Sequence, residues 1–307
     1  MRLSFFIFLH IAFVLLFSAC NGQSSQAGTS APKTEIQKPT LTNPFPYDLL
    51  NPDTLYVLPP ELYEVSGLGF HETGKLNMIQ DEKGVLFIFD LFTGQLDAKM
   101  RFGKDGDYEG VERVGDKVYT IQSDGDVFEI KNYQSEEISK HKFETQLSKF
   151  NDTEGLAYDP QGNQLLLVCK EAAGIDGKKI KGKRAVYAFD LKEDSLLSSP
   201  FLMIDRPLIK AYLESRLDSG QVWPKEKVTF NPSAIAIHPL TGEIYILAST
   251  GKMLISVNRK GEILKAFHLD PQIFKHPEGM CFSPEGTLYI SNEGDAGKPN
   301  LLKFSYQ

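Results

Sequence analysis

Three short stretches, "DYEGV" (107–111), "DTEGL" (152–156) and "HPEGM" (276–280), place a glutamate directly before a glycine at the start of an apolar strand. The last opens "HPEGMCFSPEGTLYISNEGD", which reads as strand "GMCF", turn "SPEG" and strand "TLYIS". An antiparallel hairpin brings its two ends together. Glu278 is therefore expected beside Asn292 and Glu293. By the same reading Glu109 nears Gln122, Ser123 and Asp124, and Glu154 nears Cys169, Lys170 and Glu171. The stretch at Ser66 nears Gln80, Asp81 and Glu82. Carboxylates crowded this way either hold protons at raised pKa or share a cation. Carboxylate, amide and carbonyl oxygens suit Ca²⁺ or Mg²⁺. The six histidines are scattered, so a zinc cluster is not indicated. The competing reading has each Glu accept backbone N–H bonds and merely lock its neighbours together. Direct acid–base use is the third reading.

The elements that would position these side chains repeat along the chain. Anchors at Ser66, Glu109, Glu154, Ser233 and Glu278 are 43, 45, 79 and 45 residues apart. Each begins a strand, a Gly-containing turn, a second apolar strand, a polar loop and a third strand such as "VLFIFD" or "AVYAFD". A fourth often follows, as in "GEILKAFHL". Four strands per unit at about this period is a β-propeller blade. The last repeat has three strands, and "DTLYVLP" (53–59) can supply its fourth and close the ring. The expected fold is all-β, a single β-propeller of five four-stranded blades. Six blades would need the extra residues of the 79-residue step to form one. Those residues instead place Leu208, Ile209, Tyr212, Leu213 and Leu217 at helical spacing, with Pro207 before and Gly220 after. Five is favoured, with a short helical excursion.

In a propeller the first strand of each blade lines the central channel. Strand counting sends the start of the first, the end of the second and the end of the fourth to one mouth. That mouth gathers Glu109, Glu154, Glu278, Asn292 and Glu293 as the expected cation ligands. Asp81, Asp124 and Glu171 join them as candidate ligand-binding groups. The loop "GIDGKKIKGKR", with Lys178 and Lys179, and the helical excursion, followed by the single tryptophan Trp223, emerge on the same side. A basic loop beside a lid-like helix suits an anionic ligand. His238-Pro239 and His276-Pro277 fall at different points of their repeats and read as turn chemistry. No G-x-S-x-G, P-loop or H-E-x-x-H appears.

The N-terminus carries a separate message. Arg2 precedes an apolar run from Phe5 to Phe17, then Ser18, Ala19 and Cys20. This is a secretory signal with a lipobox-like cut site, so residues 1–19 form a leader and Cys20 carries the lipid anchor. Residues 20–47 read as a polar tether and 48–307 as the propeller. The expected location is the cell envelope, membrane-anchored and facing the periplasm. Cys169 and Cys281 lie in separate apolar strands and read as unpaired core cysteines. The net charge of −7, more negative once Arg2 leaves, argues against nucleic acid.

The "D-x-E-G-[LV]" openings, "LLLVCKE", "PSAIAIHPLTGEIYILAS" and the closing "HPEGMCFSPEGTLYISNEGD" resemble the SdiA-regulated domain family from about Leu55 to Tyr306. The resemblance implies an envelope-associated bacterial β-propeller of NHL-like style. "PEG…LYISNE" is also similar to gluconolactonase-like and strictosidine-synthase-like propellers, which hold a channel calcium with Glu, Asn and Asp. Carried over, that implies ligands at Glu109, Glu154, Glu278 and Asn292. Ser66 and Ser233 replace Glu in two blades, and Cys169 and Ala248 stand where Asn292 would be matched. The reading is a lipoprotein that binds a small molecule or protein partner, with calcium at the channel mouth and no chemistry. The alternative is a metal-assisted hydrolase of a lactone or phosphate ester.

Anchoring is testable directly. Cys20→Ser should abolish incorporation of radiolabelled palmitate and leave the protein soluble or unprocessed. Acyl-labelled membrane protein from that variant would refute the lipobox.

Overall fold

The apolar runs fold as antiparallel strands because neighbouring blades cover both faces of each inner strand. Thus "QLLLVC" (164–169) is buried along its whole length, whereas the outermost "QLDAKMR" (95–101) alternates between exposed and half-buried. The computed structural model describes residues 45–133, 135, 137–217, 227–294 and 297–307. Cys20 and Trp223 lie outside them.

Strand β1 (Thr54–Val57) is followed by blade 1: β2 (Val65–Glu72), β3 (Lys75–Gln80), β4 (Lys83–Asp90) and β5 (Gln95–Arg101). Blade 2 holds β6 (Tyr108–Val114), β7 (Lys117–Gln122), β8 (Val127–Lys131) and β9 (Ser139–Phe143). Blade 3 holds β10 (Thr153–Asp159), β11 (Gln164–Cys169) and β12 (Lys183–Asp190). Its outer strand is interrupted, β13 (Ser195–Leu196) and β14 (Leu202–Asp205) both pairing with β12. Blade 4 holds β15 (Asn231–Ile237), β16 (Ile244–Thr250), β17 (Met253–Val257) and β18 (Ile263–His268). Blade 5 holds β19 (Pro277–Phe282), β20 (Leu288–Asn292), β21 (Asn300–Phe304) and, last, β1.

The five-bladed reading is borne out, as is the closure by "TLYV". Thr54 pairs with Lys303 and Val57 with Asn300. The extra residues after β14 form helix α1 (Arg206–Glu214), which buries Ile209 and Leu213 against blade 4 and leaves Leu208 exposed. Its Tyr212 hydroxyl donates to the Leu264 carbonyl at 2.6 Å. Cys169 and Cys281 are buried and unpaired.

Apolar packing is divided into five slabs, one at each seam between blades. The packed chain starts before the tether boundary at residue 47. Tyr47 is 2% exposed, stacks on Phe282 and donates its hydroxyl to Gly286 O at 2.7 Å. Composition missed this because two aromatics, Phe45 and Tyr47, end an otherwise polar stretch.

Closure by β1 predicts unequal truncations. Removing residues 21–43 should change stability by less than about 0.5 kcal/mol. Removing residues up to Leu58 opens the edge of β21 and deletes Tyr47, costing at least the about 3–5 kcal/mol of one core aromatic. Equal melting temperatures for the two would refute the closure.

Candidate functional site at the acidic channel mouth

The glycine after four of the five rim residues, with Ala234 in the fifth blade, permits the first strands to meet. A Cβ on Gly110 would lie 2.8 Å from Leu156 Cβ, and one on Gly155 only 2.7 Å from the Ile235 nitrogen. The channel between them is left with about 10 Å³, room for about one water. Each first strand also breaks register at its rim residue, between Val65 and Gly67, Tyr108 and Gly110, Thr153 and Gly155, Pro232 and Ala234, and Pro277 and Met280. These bulges re-aim the rim side chains.

The serine-bearing blades use that position as a lock. Ser66 Oγ donates to the Tyr108 carbonyl at 2.6 Å, and Ser233 Oγ to the Pro277 carbonyl at 2.9 Å. The lock expected of the glutamates is thus made by the serines, each reaching the next blade.

Glu109, Glu154 and Glu278 do converge, as the strand count predicts, and each finds a different partner. Glu109 hydrogen-bonds to Asp107; burial first, then the Glu154 charge, pushes its carboxyl well up. Glu154 accepts from Lys170 Nζ at 2.7 Å; burial still raises it to about 8 against the lysine. Glu278 lies 3.1 Å from His276 Nε2, and burial plus the Glu293 charge lift it to about 7.

A second ring surrounds these, two residues earlier in each repeat: Glu64, Asp107, Asp152, Asn231 and His276. Main-chain bonds tie its members to the second-strand exits. Asp81 N donates to Glu64 O (3.1 Å), Ser123 N to Asp107 O (3.0 Å), Lys170 N to Asp152 O (2.7 Å) and Glu293 N to His276 O (3.0 Å). Sequence reasoning missed Glu64 and assigned His276 to turn chemistry. Instead the His276 ring bridges Glu278 and, through Nδ1 at 2.7 Å, Glu293. The unchanged step of 45 residues from Asn231 to His276 was the available signal.

A cluster of carboxylate oxygens lies at the seam of blades 5 and 1. One carboxylate oxygen each from Glu64, Asp81 and Glu293 lie within 4.8 Å of one another, and His276, Glu278 and Glu293 meet the same limit. Asp81 Oδ1 is buried with no hydrogen-bond partner. Burial, then Glu64 and Glu293, raises the Asp81 carboxyl to about 6.

Other expected ligands do not join. Asn292 is fully buried and turned outward, its Nδ2 donating to Ile273 O (3.2 Å) and Asn300 Oδ1 (2.9 Å). Its neighbour Ser291 packs inward instead, accepting from Gly279 N. Asp124 accepts from Asp126 N within its own turn. Glu171 spans blades 3 and 4, accepting from Asn231 Nδ2 at 3.3 Å with Arg184 Nη2 3.8 Å away. Lys178 and Lys179 are exposed on a loop held from beneath by Asn151, whose Nδ2 donates to Ala172 and Gly174 carbonyls.

The sequence model of the family described as SdiA-regulated matches residues 58–302. A search of curated proteins gives no match. Among solved structures, the glutaminyl cyclase of Myxococcus xanthus is 16% identical, with a TM-score of 0.53 over 83% of this chain and 95% of that one. A PQQ-bound aldose sugar dehydrogenase from Streptomyces coelicolor is 13% identical, with a TM-score of 0.47 over 84% of this chain and 100% of that one. At these identities the likeness concerns the fold.

The raised carboxyls set a pH dependence in metal-free buffer. In the folded chain burial lifts the Glu154 carboxyl to about 8, while in the unfolded chain it returns to its ordinary 4.5. The folded chain therefore holds the extra proton between these values, and stability falls as pH rises through them, by up to about 1.4 kcal/mol per pH unit and group. Denaturant midpoints in EDTA should drop across this window, and Glu154→Gln, which cannot ionise, should flatten the drop. A midpoint that rises from pH 5 to 8 would refute the buried protons.

Proposed function

This chain belongs to the SdiA-regulated family, and we propose that it is an envelope lipoprotein, anchored through Cys20, whose propeller binds a divalent cation and, beside it, a ligand or partner. The observation that carries the reading is the seam of blades 5 and 1. Glu64, Asp81, Glu278 and Glu293 crowd together with His276 as the nearby imidazole. The buried, partnerless Asp81 Oδ1 is an oxygen in want of a positive charge. Oxygen donors of this number and hardness favour Ca²⁺, with Mg²⁺ the smaller competitor. The ion sits on Glu64, Asp81 and Glu293 in this reading. The axial expectation of Glu109, Glu154 and Asn292 gives way, because Lys170 already offsets Glu154 and Asn292 faces elsewhere.

A second reading, metal-assisted hydrolysis of a lactone or phosphate ester, draws on His276, whose ring Glu293 meets at Nδ1 as an orienting carboxylate would. Binding is preferred, since Glu278 already takes the ring's other nitrogen, Nε2, at 3.1 Å.

Calcium added to EDTA-treated protein should raise the melting temperature, by about 2.7 kcal/mol equivalent at a hundredfold excess over Kd. Asp81→Asn and Glu293→Gln should each shrink the response, while raising stability without metal by relieving repulsion. No response in the wild type sinks the cation site. Calcium-dependent turnover of a lactone or phosphate-ester panel, lost in His276→Gln, would replace binding by hydrolysis.

A further inference from the structure

The opposite mouth of the channel holds a cavity of about 380 Å³ that the acidic rim does not use. Its origin lies three residues after the rim position, where the blades carry Gly69, Glu112, Ala157, Ala236 and Cys281. Four of these side chains are small, as close packing on the next blade demands. A Cβ on Gly69 would lie 2.8 Å from the Val111 carbonyl oxygen. Glu112 alone is long, and it reaches into the space the small residues leave. One carboxylate oxygen accepts from its neighbour Arg113 N at 3.0 Å, the other from Tyr158 N across the seam at 3.3 Å. It lines the cavity together with Cys281 and Ala236.

Around the carboxyl stand the rings of Phe70, Tyr158 and Phe282. The nearby cations are engaged elsewhere. Arg259, the one arginine or lysine lining the cavity among the described residues, is held by Asp159 through two bonds of 2.9 and 2.6 Å. Arg113 donates to the carbonyls of His71 and Gly115. Glu112 is thus a half-buried carboxyl held by backbone donors, facing a space walled by aromatic rings and the His238 imidazole, while the two nearby arginines are engaged elsewhere. Burial pushes it up to about 7, so a cation bound there would also settle its charge. Aromatic faces attract cations too, most strongly where water is excluded. An anion would meet the carboxylate's own charge, and a neutral apolar ligand would leave the carboxyl unmet.

We infer that this second mouth is a binding site for a small organic cation, an ammonium carrying an apolar body, with Glu112 as its counter-charge and Phe70, Tyr158 and Phe282 as its walls. The site is independent of any metal at the acidic mouth.

Isothermal titration in EDTA with benzyltrimethylammonium tests it, with benzyl alcohol and benzoate as neutral and anionic controls. Saturable binding of the ammonium alone is expected, weakened at least about tenfold in Glu112→Gln and several-fold in Phe70→Leu. Glu144→Gln, at an exposed carboxylate that does not line the cavity, should bind as the wild type does. Should Glu112→Gln fail to fold, Phe70→Leu and Tyr158→Leu carry the test, and undiminished binding in both overturns the site. Equal binding of benzoate or benzyl alcohol, indifference to Glu112→Gln in a folded variant, or no saturable binding of the ammonium would each overturn it as well.

Discussion

Everything at the two mouths depends on how closely five first strands approach one axis. Glycine follows the rim residue in four blades and Ala234 in the fifth, because backbone of the next blade occupies the place of a larger side chain. The ring is drawn so tight that the channel admits about one water. Side chains at the strand starts cannot spread into the channel, so they crowd at its mouth. Crowding is what makes these carboxyls unusual: burial raises them and their mutual charge raises them further. An acid that is ordinary on a surface gives up its proton less readily here.

The repeat answers that crowding differently in each blade. Blades 1 and 4 replace the acid by serine, which spends its hydroxyl on the next blade's carbonyl. Blade 3 brings Lys170 onto Glu154, and blade 2 pairs Glu109 with Asp107. Blade 5 brings an imidazole to Glu278 but adds Glu293, and the seam with blade 1 then adds Glu64 and Asp81. Negative charge is therefore concentrated at one seam instead of spread evenly around the axis.

The ring, its closure and its helix were legible because they follow from spacing and periodicity, which a one-dimensional string preserves. "DTLYVLP" before the first anchor and a missing last strand fit only one way. Leu213 at helical spacing could be assigned without knowing its partner in blade 4. Side-chain direction at the mouth was a different matter. A β-bulge at every rim residue shifts the alternation on which facing is judged. Asn292, expected inward, thus faces Asn300, while Ser291 takes the inner place. His276 was misread for a related reason: its contact with Glu293 exists only once the hairpin closes.

The same argument explains why both mouths can differ so sharply within one repeating frame. Each position of the blade is presented five times at equal depth, and four similar residues are enough to hold the ring at that level. The fifth is then released from packing. At the depth of Gly69, Ala157, Ala236 and Cys281 the released residue is Glu112, whose carboxyl faces the cavity that the small residues leave. At the outer ring it is His276, a nitrogen base in a place that elsewhere carries Glu, Asp or Asn. Symmetry supplies the scaffold, and the chemistry sits in the positions that break it, so in a propeller of this kind the informative residues are those that depart from their own repeat.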